Sequence, residues 1–314
     1  MREQNKIVLG TRGSQLARAQ ARMVADGLRG LWADLKIETK VIRTSGDESS
    51  SRTELPDPRA GRKGMFTAEI ERALLAHDVD LAVHSAKDLP SELTPGTEIP
   101  AVLSRAPVND ILVATIPCDL QSLPIDGIVA TGSVRRQHQL RWKRPDLTIV
   151  DLHGNVPTRL RKLAKSEWHA IILARAGLDR LGLELNEGQI NFEDAKFWVD
   201  FLPEEIFLPA GGQGVIALQM RSGDDRTREL VDPLNHFDTR LCLRAEREFL
   251  RLLQADCNQP VGVLATIKGR AMKIRAQIFD LGATTPDEAA IEGPIEDAEQ
   301  LAAQLFKQIH GEEK

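Results

Sequence analysis

The feature that most constrains this chain is a repeating rhythm: a short apolar run, a turn rich in glycine or polar residues, then apolar positions at helical spacing. Ile7-Val8-Leu9 ends in Gly10-Thr11-Arg12-Gly13-Ser14, after which Leu16, Ala17, Ala19, Ala21, Met23, Val24 and Leu28 follow a helical period. The rhythm returns as a strand over residues 36–42, a helix over 66–75 and a buried strand over 79–83. Strands that alternate with helices are joined by crossovers, so a parallel α/β sheet covered on both faces is expected.

A second series begins after Val108-Asn109-Asp110, with strands expected at 111–114, 127–130, 148–151 and 170–173 and helices at 134–142 and 158–165. The turn-rich Leu208-Pro209-Ala210-Gly211-Gly212-Gln213-Gly214 precedes another strand at 215–219. From about residue 235 the texture changes to a helix at 239–253, a cysteine-containing turn, strands at 261–268 and 272–278, and a last helix at 297–310. The expected organisation is two doubly wound α/β lobes, residues 5–104 with 213–233 and residues 105–212, plus a small C-terminal α+β domain, residues 234–314. Residues 47–63, with three consecutive serines and two prolines, read as a mobile loop and a candidate lid.

Charge narrows the function. The chain carries 41 Lys plus Arg against 46 Asp plus Glu, a net charge of −5, which disfavours a general polyanion binder. Tyr is absent and aromatics are 4%, which disfavours a stacking platform for bases. Residues 131–180 nevertheless hold eleven basic and four acidic side chains, a surplus of +7, and such focused charge suits a small anionic ligand. From residue 281 onward eight acidic residues face only Lys307 and Lys314, as in a solvated periphery. No run reaches the roughly 18 apolar residues of a membrane span, and the cytoplasm is the expected compartment. Cys118, Cys242 and Cys257 lie far apart, without disulfide density or metal spacing, so no metal is expected.

Several turns carry candidate chemistry. Gly10-Thr11-Arg12-Gly13-Ser14 puts Ser14 at an N-cap, where the turn either receives an anion or is a plain βα connection. In Thr131-Gly132-Ser133-Val134-Arg135-Arg136, two arginines follow the N-cap Ser133 in the first helical turn, where cations oppose the macrodipole. Either a carboxylate or phosphate ligand reverses that cost, or both arginines are simply exposed. Val83-His84-Ser85-Ala86-Lys87-Asp88-Leu89-Pro90 brings Lys87 and Asp88 to the carboxyl end of a buried strand, where open α/β sheets bind ligands. Asp88 is the best acid in the chain, able to accept N–H bonds, steady a cation and move protons, or else to cap the turn before Pro90. His84 reads as a satisfied core histidine, and Cys257 as an exposed loop thiol, reactive or inert.

Taken in this order, these segments resemble the porphobilinogen deaminase (hydroxymethylbilane synthase) family from about Ile7 to about Ala265. Lys63-Gly64-Met65-Phe66, Gly154-Asn155-Val156-Pro157-Thr158-Arg159-Leu160, residues 170–182 and Pro209-Ala210-Gly211-Gly212-Gln213-Gly214 join those above, and the VHSAKDLP-type and RRQ-type pieces are specific as a pair. The resemblance implies condensation of four porphobilinogen molecules into hydroxymethylbilane with release of ammonia. It also implies a dipyrromethane cofactor held through a thioether to Cys257. Asp88, with Lys87, then matches the catalytic position. Ser133, Arg135, Arg136, Lys87, His153 and Asn155 match cofactor-binding positions, and Arg12, Ser14, Arg159, Arg180 and Phe66 match substrate-binding ones.

Lobes resembling type II periplasmic binding proteins are expected, in a monomer without nucleic-acid or membrane partners. Twelve carboxylates on a six-ring chain agree with the +7 surplus, since arginine forks hold carboxylates by paired hydrogen bonds. The chain departs from the family at His153 and Asn109, where arginine is common, and at Ala255-Asp256, which replace two glycines. The alternative function is a non-catalytic receptor for small anions or pyrrole carboxylates on the same two lobes.

Overall fold

The computed structural model describes residues 5–44, 67–254, 259–280 and 282–311. The first stretch runs β1 (Lys6–Arg12), α1 (Gln15–Leu31), β2 (Lys36–Ile42), α2 (Ala68–Leu75), β3 (Leu81–Ser85) and β4 (Thr97–Val102). The second runs β5 (Asp110–Ala114), β6 (Ile128–Ala130), α3 (Val134–Lys143), β7 (Thr148–Val150), α4 (Val156–Lys165), β8 (Ala170–Ala174), α5 (Arg175–Arg180), β9 (Gln189–Phe192) and β10 (Ala195–Phe201). The chain then returns through β11 (Ile216–Arg221) and α6 (Asp225–Val231). It ends in α7 (Phe237–Leu252), β12 (Val261–Lys268), β13 (Ala271–Ile278), β14 (Asp287–Pro294) and α8 (Ala298–His310).

Among the described residues these strands form three sheets, ordered β2-β1-β3-β11-β4, β7-β6-β8-β5-β10-β9 and β12-β13-β14. The first two share one plan. Three parallel strands lie in the order second, first, third; an antiparallel strand follows, then a fourth parallel to the first three. The expected all-parallel sheets are therefore mixed. The cause is chain exchange: β5 follows the crossing out of the first lobe, and β11 follows the crossing back. The two crossings run side by side, with Leu103 N donating to Ile216 O at 3.1 Å and Ala106 N to Gly214 O at 3.0 Å.

The cores follow the sequence rhythm. The first four residues of β3 and all five of β5 are buried, as strands covered on both faces must be. Ile7, Leu9, Val24, Leu28, Leu81 and Leu218 fill one lobe, and Ile111, Val113, Leu160, Ile171 and Phe197 the other. Each such side chain contributes about 1.5–3 kcal/mol through burial. In the third unit α7 and α8 pack on one antiparallel sheet around Phe249, Met272, Ile274, Leu301 and Leu305. It docks on the returning crossing, where Val263 N donates to Pro209 O at 2.9 Å.

Four strands escape the sequence rhythm. β4 contains Pro100 and β14 is acidic with Gly293 and Pro294, both features of edge strands, and each lies at a sheet edge. The β9–β10 hairpin turns at Glu193-Asp194, with Glu193 at φ 52°, a turn without the glycine that marks such hairpins.

Candidate active site

In both lobes candidate residues lie at or just beyond the ends of strands. β3 runs into a single 3-10 turn, Ala86–Asp88, so Lys87 and Asp88 emerge half-buried beside buried Ala86 and Leu89. The turn is braced from behind: Ala86 N donates to Val215 O at 3.0 Å, and Gly212, at φ 75°, lies so close that a Cβ there would sit 3.0 Å from Lys87 N. Arg12 at the end of β1 places Nη1 3.8 Å from Asp88 Oδ2. Ser14 caps α1 as expected, its Oγ accepting from Ala17 N at 3.2 Å, which leaves its own hydroxyl proton to donate elsewhere. His84 is a core histidine, pushed down to about 4 by burial and the Arg12 charge, and hence neutral at pH 7.

Arg135 and Arg136 depart from the exposed reading. Both are buried, with Asp110 at the start of β5 between them: Arg135 Nη2 reaches Oδ2 at 2.8 Å and Arg136 Nη2 reaches Oδ1 at 2.7 Å. Burial by itself would raise the Asp110 pKa, yet the two guanidinium groups override it and hold the carboxyl far below its usual range. One carboxylate against two arginines still leaves an excess of positive charge in a low-dielectric place. Lys87 feels it: burial and the Arg136 charge lower its pKa to about 8, against the pull of Asp88 and Asp110. No hydrogen bond or ion pair engages Lys87 among the described residues.

The remaining cations come from α4 and α5. Arg159 donates through Nε to Gly154 O at 2.7 Å, and its terminal nitrogens have no partner among the described residues. Burial and Arg136 lower its pKa to about 10, while Asp88 acts in the opposite sense. Arg180 donates from Nη2 to Gly214 O at 2.6 Å and is likewise lowered to about 10 by burial. Ser133 occupies the N-cap of α3 but its side chain makes no capping bond. Asn155 caps α4, its Oδ1 accepting from Thr158 N at 3.0 Å, and its amide group stays exposed. His153 is half-buried, packed beside the turn at Gly132, and its carbonyl accepts from Lys162 Nζ at 3.1 Å.

Among the described residues, Lys87 and the terminal nitrogens of Arg159 lack partners near Asp88. The buried Nε atoms of Arg135, Arg136 and Arg180 have no hydrogen-bond acceptor among the described residues. A ligand with several carboxylates meets this demand, and the dipyrromethane side chains are of that chemistry. Phe66, Cys257 and the candidate lid at 47–63 lie outside the described residues. No group of metal-ligating residues occurs among the described residues, and no described helix is long and apolar enough to cross a membrane.

Sequence reasoning missed the acids and amides that organise these cations. Asp110 was legible as one acid opening the apolar strand Ile111-Leu112-Val113-Ala114. Gln213 donates to Asp110 Oδ1 at 2.8 Å and to Val108 O at 2.6 Å, which ties the returning crossing to the arginine pair. Glu246 of α7, fully buried, accepts from Arg105 Nη1 at 2.6 Å, Gly212 N at 2.7 Å and Ala265 N at 2.8 Å. Nothing local in the sequence marks it, because its three partners lie in three different segments.

The chain is similar to known proteins along most of its length. Residues 7–229 match the family model described as porphobilinogen deaminase, dipyromethane cofactor binding domain, and residues 240–311 match the porphobilinogen deaminase C-terminal domain. The porphobilinogen deaminase of Syntrophomonas wolfei is 42% identical over 301 residues, covering 96% of this chain and 94% of that protein. That of Moorella thermoacetica is 40% identical over 304 residues, covering 97% and 93%. Among solved structures, the periplasmic VFT2 domain of Bordetella pertussis BvgS aligns at 13% identity over 73% of this chain and 85% of its own, with a TM-score of 0.42. On the strength of both domain matches and of relatives alike along nearly their whole length, this chain belongs to the porphobilinogen deaminase family.

Proposed function

We propose that this chain is a hydroxymethylbilane synthase, a transferase that joins four porphobilinogen molecules head to tail in tetrapyrrole synthesis. The observation that carries the reading is a half-buried acid, Asp88, set among Arg12, Lys87, Arg136 and Arg159, of which Lys87 and Arg159 have no acidic partner among the described residues. Each porphobilinogen brings two carboxylates and a protonated aminomethyl group. Arg12, Ser14, Arg159 and Arg180, with Phe66, would hold the incoming carboxylates and ring; Ser133, Arg135, Arg136, Lys87, His153 and Asn155 would hold those of the cofactor. Dipyrromethane, when bound through a thioether to Cys257, supplies the unsubstituted pyrrole carbon on which the chain grows.

Asp88 accepts the pyrrole N–H and steadies the methylene-pyrrole cation that forms as the substrate's C–N bond breaks and ammonia leaves. Asp88 or water would take up the proton released when the new C–C bond forms at the free pyrrole carbon that the cofactor would supply. Lys87, with its pKa lowered to about 8, is mostly charged near pH 7 and is protonated more fully when a carboxylate arrives, so binding and protonation reinforce each other. The working unit proposed is a cytoplasmic monomer of three domains, 5–104 with 213–233, 105–212 and 234–314, without nucleic-acid or membrane partners.

Ammonia release from porphobilinogen tests the reading. Wild-type protein is expected to release it and to carry the mass of two pyrrole units, absent in Cys257→Ser. Asp88→Ala is expected to lose about 100-fold or more in turnover with folding intact. Near-normal product from Asp88→Ala refutes the assignment, and a bare chain mass returns the protein to the anion-receptor class.

A further inference from the structure

One face of α7 supports the acidic turn from the third unit. Leu243 shares a buried apolar cluster with Ala86 and Leu89. Glu246, three residues on, binds Gly212 N, and Gly212 abuts the Ala86–Lys87 peptide. Arg247, one residue further, donates from Nη2 to the carbonyl oxygens of Pro90 at 2.9 Å and Ser91 at 3.0 Å. Residues four apart on a helix stack on one face, so Leu243 and Arg247 approach the turn together.

Arg247 is an odd choice for stability alone. Half-buried, its guanidinium is lowered to about 10 by burial; Glu71 is the charge that opposes this, and no carboxylate pairs with Arg247 among the described residues. A desolvated cation without an ion pair is a poor stabiliser compared with an apolar side chain of its size. Its fork does hold two successive carbonyls in a fixed relation. That place needs an outside support: between Leu89 and Thr97 the chain enters no helix or strand, and Pro90 has no N–H to pair. By sequence, α7 ends at Leu252, five residues before Cys257.

We propose that Arg247 is a positioning residue, fixing the Lys87–Asp88 turn on α7 through the carbonyls of Pro90 and Ser91, so that the acid keeps its place relative to the helix leading to Cys257. The proposal rests on Asp88 acting on porphobilinogen as set out above. Its consequence is that loss of Arg247 weakens the chemical step more than binding, because Arg12 and Arg159 reside on other elements.

The experiment compares wild type, Arg247→Met and Arg247→Lys, using purified full-length protein, for kcat and KM with porphobilinogen, intact mass and melting temperature. Arg247→Met keeps the stem and removes the donors; its kcat is expected to fall about tenfold or more, since displacements near 1 Å at a site have effects of that size, with KM changed less than about threefold. Arg247→Lys retains a cationic donor for one carbonyl, and its kcat is expected to recover to within about threefold of wild type. All three proteins are expected to carry the two-pyrrole mass. Wild-type kcat in Arg247→Met, an equal fall of kcat in both variants, or a loss confined to KM overturns the positioning role. Should Arg247→Met fail to fold, Arg247→Lys decides: a KM-led loss overturns the proposal, and a modest kcat-led loss at unchanged melting temperature supports it. A wild type that releases no ammonia overturns the parent reading, and this one with it, whereas an active wild type beside an unaffected Arg247→Met overturns this one alone.

Discussion

Two aspartates at corresponding ends of the two large sheets have been put to opposite uses. Asp110 opens the antiparallel β5 beside Ala174, the last residue of β8, and its carboxylate is fully buried and taken up by Arg135, Arg136 and Gln213. Asp88 closes the turn after β3, is 36% exposed at its side chain, and meets one arginine at 3.8 Å. A carboxylate whose lone pairs are filled by the protein organises structure; one left nearly empty can act on a ligand. The same contrast runs through the cations: Arg135 and Arg136 bond to a buried acid, while among the described residues no acid pairs with Lys87 or Arg159.

The contrast breaks most visibly in Asp110→Ala. That change strands two buried guanidinium groups and is expected to cost about 3–5 kcal/mol in urea unfolding, whereas Asp88→Ala, removing only a partly exposed 3.8 Å pair, should stay within about 1 kcal/mol of wild type. Equal losses in the two variants would dissolve the distinction. Asp110 has a depressed folded pKa, so the stability it contributes is present above the ordinary carboxylate range and is lost as pH falls below it.

A smaller effect tests the brace between the crossing and the acid. Gly212→Ala adds a Cβ 3.0 Å from the Ala86–Lys87 peptide at a residue held at φ 75°. It should cost about 1–3 kcal/mol in unfolding and lower kcat, as the turn is pushed outward. Wild-type stability and kcat would show that the contact places nothing.

The smallest effect concerns Lys87. Its folded pKa of about 8 lies below its unfolded value of 10.5, so in the ligand-free protein its contribution to stability rises with pH between those values. A bound carboxylate raises that pKa again, so binding near pH 8 takes up a fraction of a proton and weakens as pH climbs past it. Calorimetry in buffers of different ionisation enthalpy reads this uptake, and Lys87→Met should remove it; an undiminished uptake assigns the proton to another group.

Much of the architecture could be read from the chain. Apolar runs ended by Gly10-Thr11-Arg12-Gly13-Ser14 and by Ser85-Ala86-Lys87-Asp88 announce strands whose carboxyl ends carry polar turns, because the strand, the turn and the cap each have a local cause. β4, β14 and the β9–β10 hairpin were not legible, since edge strands tolerate proline, glycine and charge. Arg135 and Arg136 were legible as cations in one helical turn, but their burial was not. Arg247 and Glu246 left no local trace, as their partners are backbone groups and a side chain far away in sequence.

By itself, the sequence determined the order of elements, the cationic middle of an acidic chain, and the Lys87-Asp88 pair at a strand end, all consequences of short-range spacing and composition. Only the tertiary structure decided which charges meet an opposite partner among the described residues. The fold brings Asp110, Gln213 and Glu246 to their partners across separations of 19 to 141 residues in sequence, and the desolvation that makes such pairings matter exists only once the chain has folded around them.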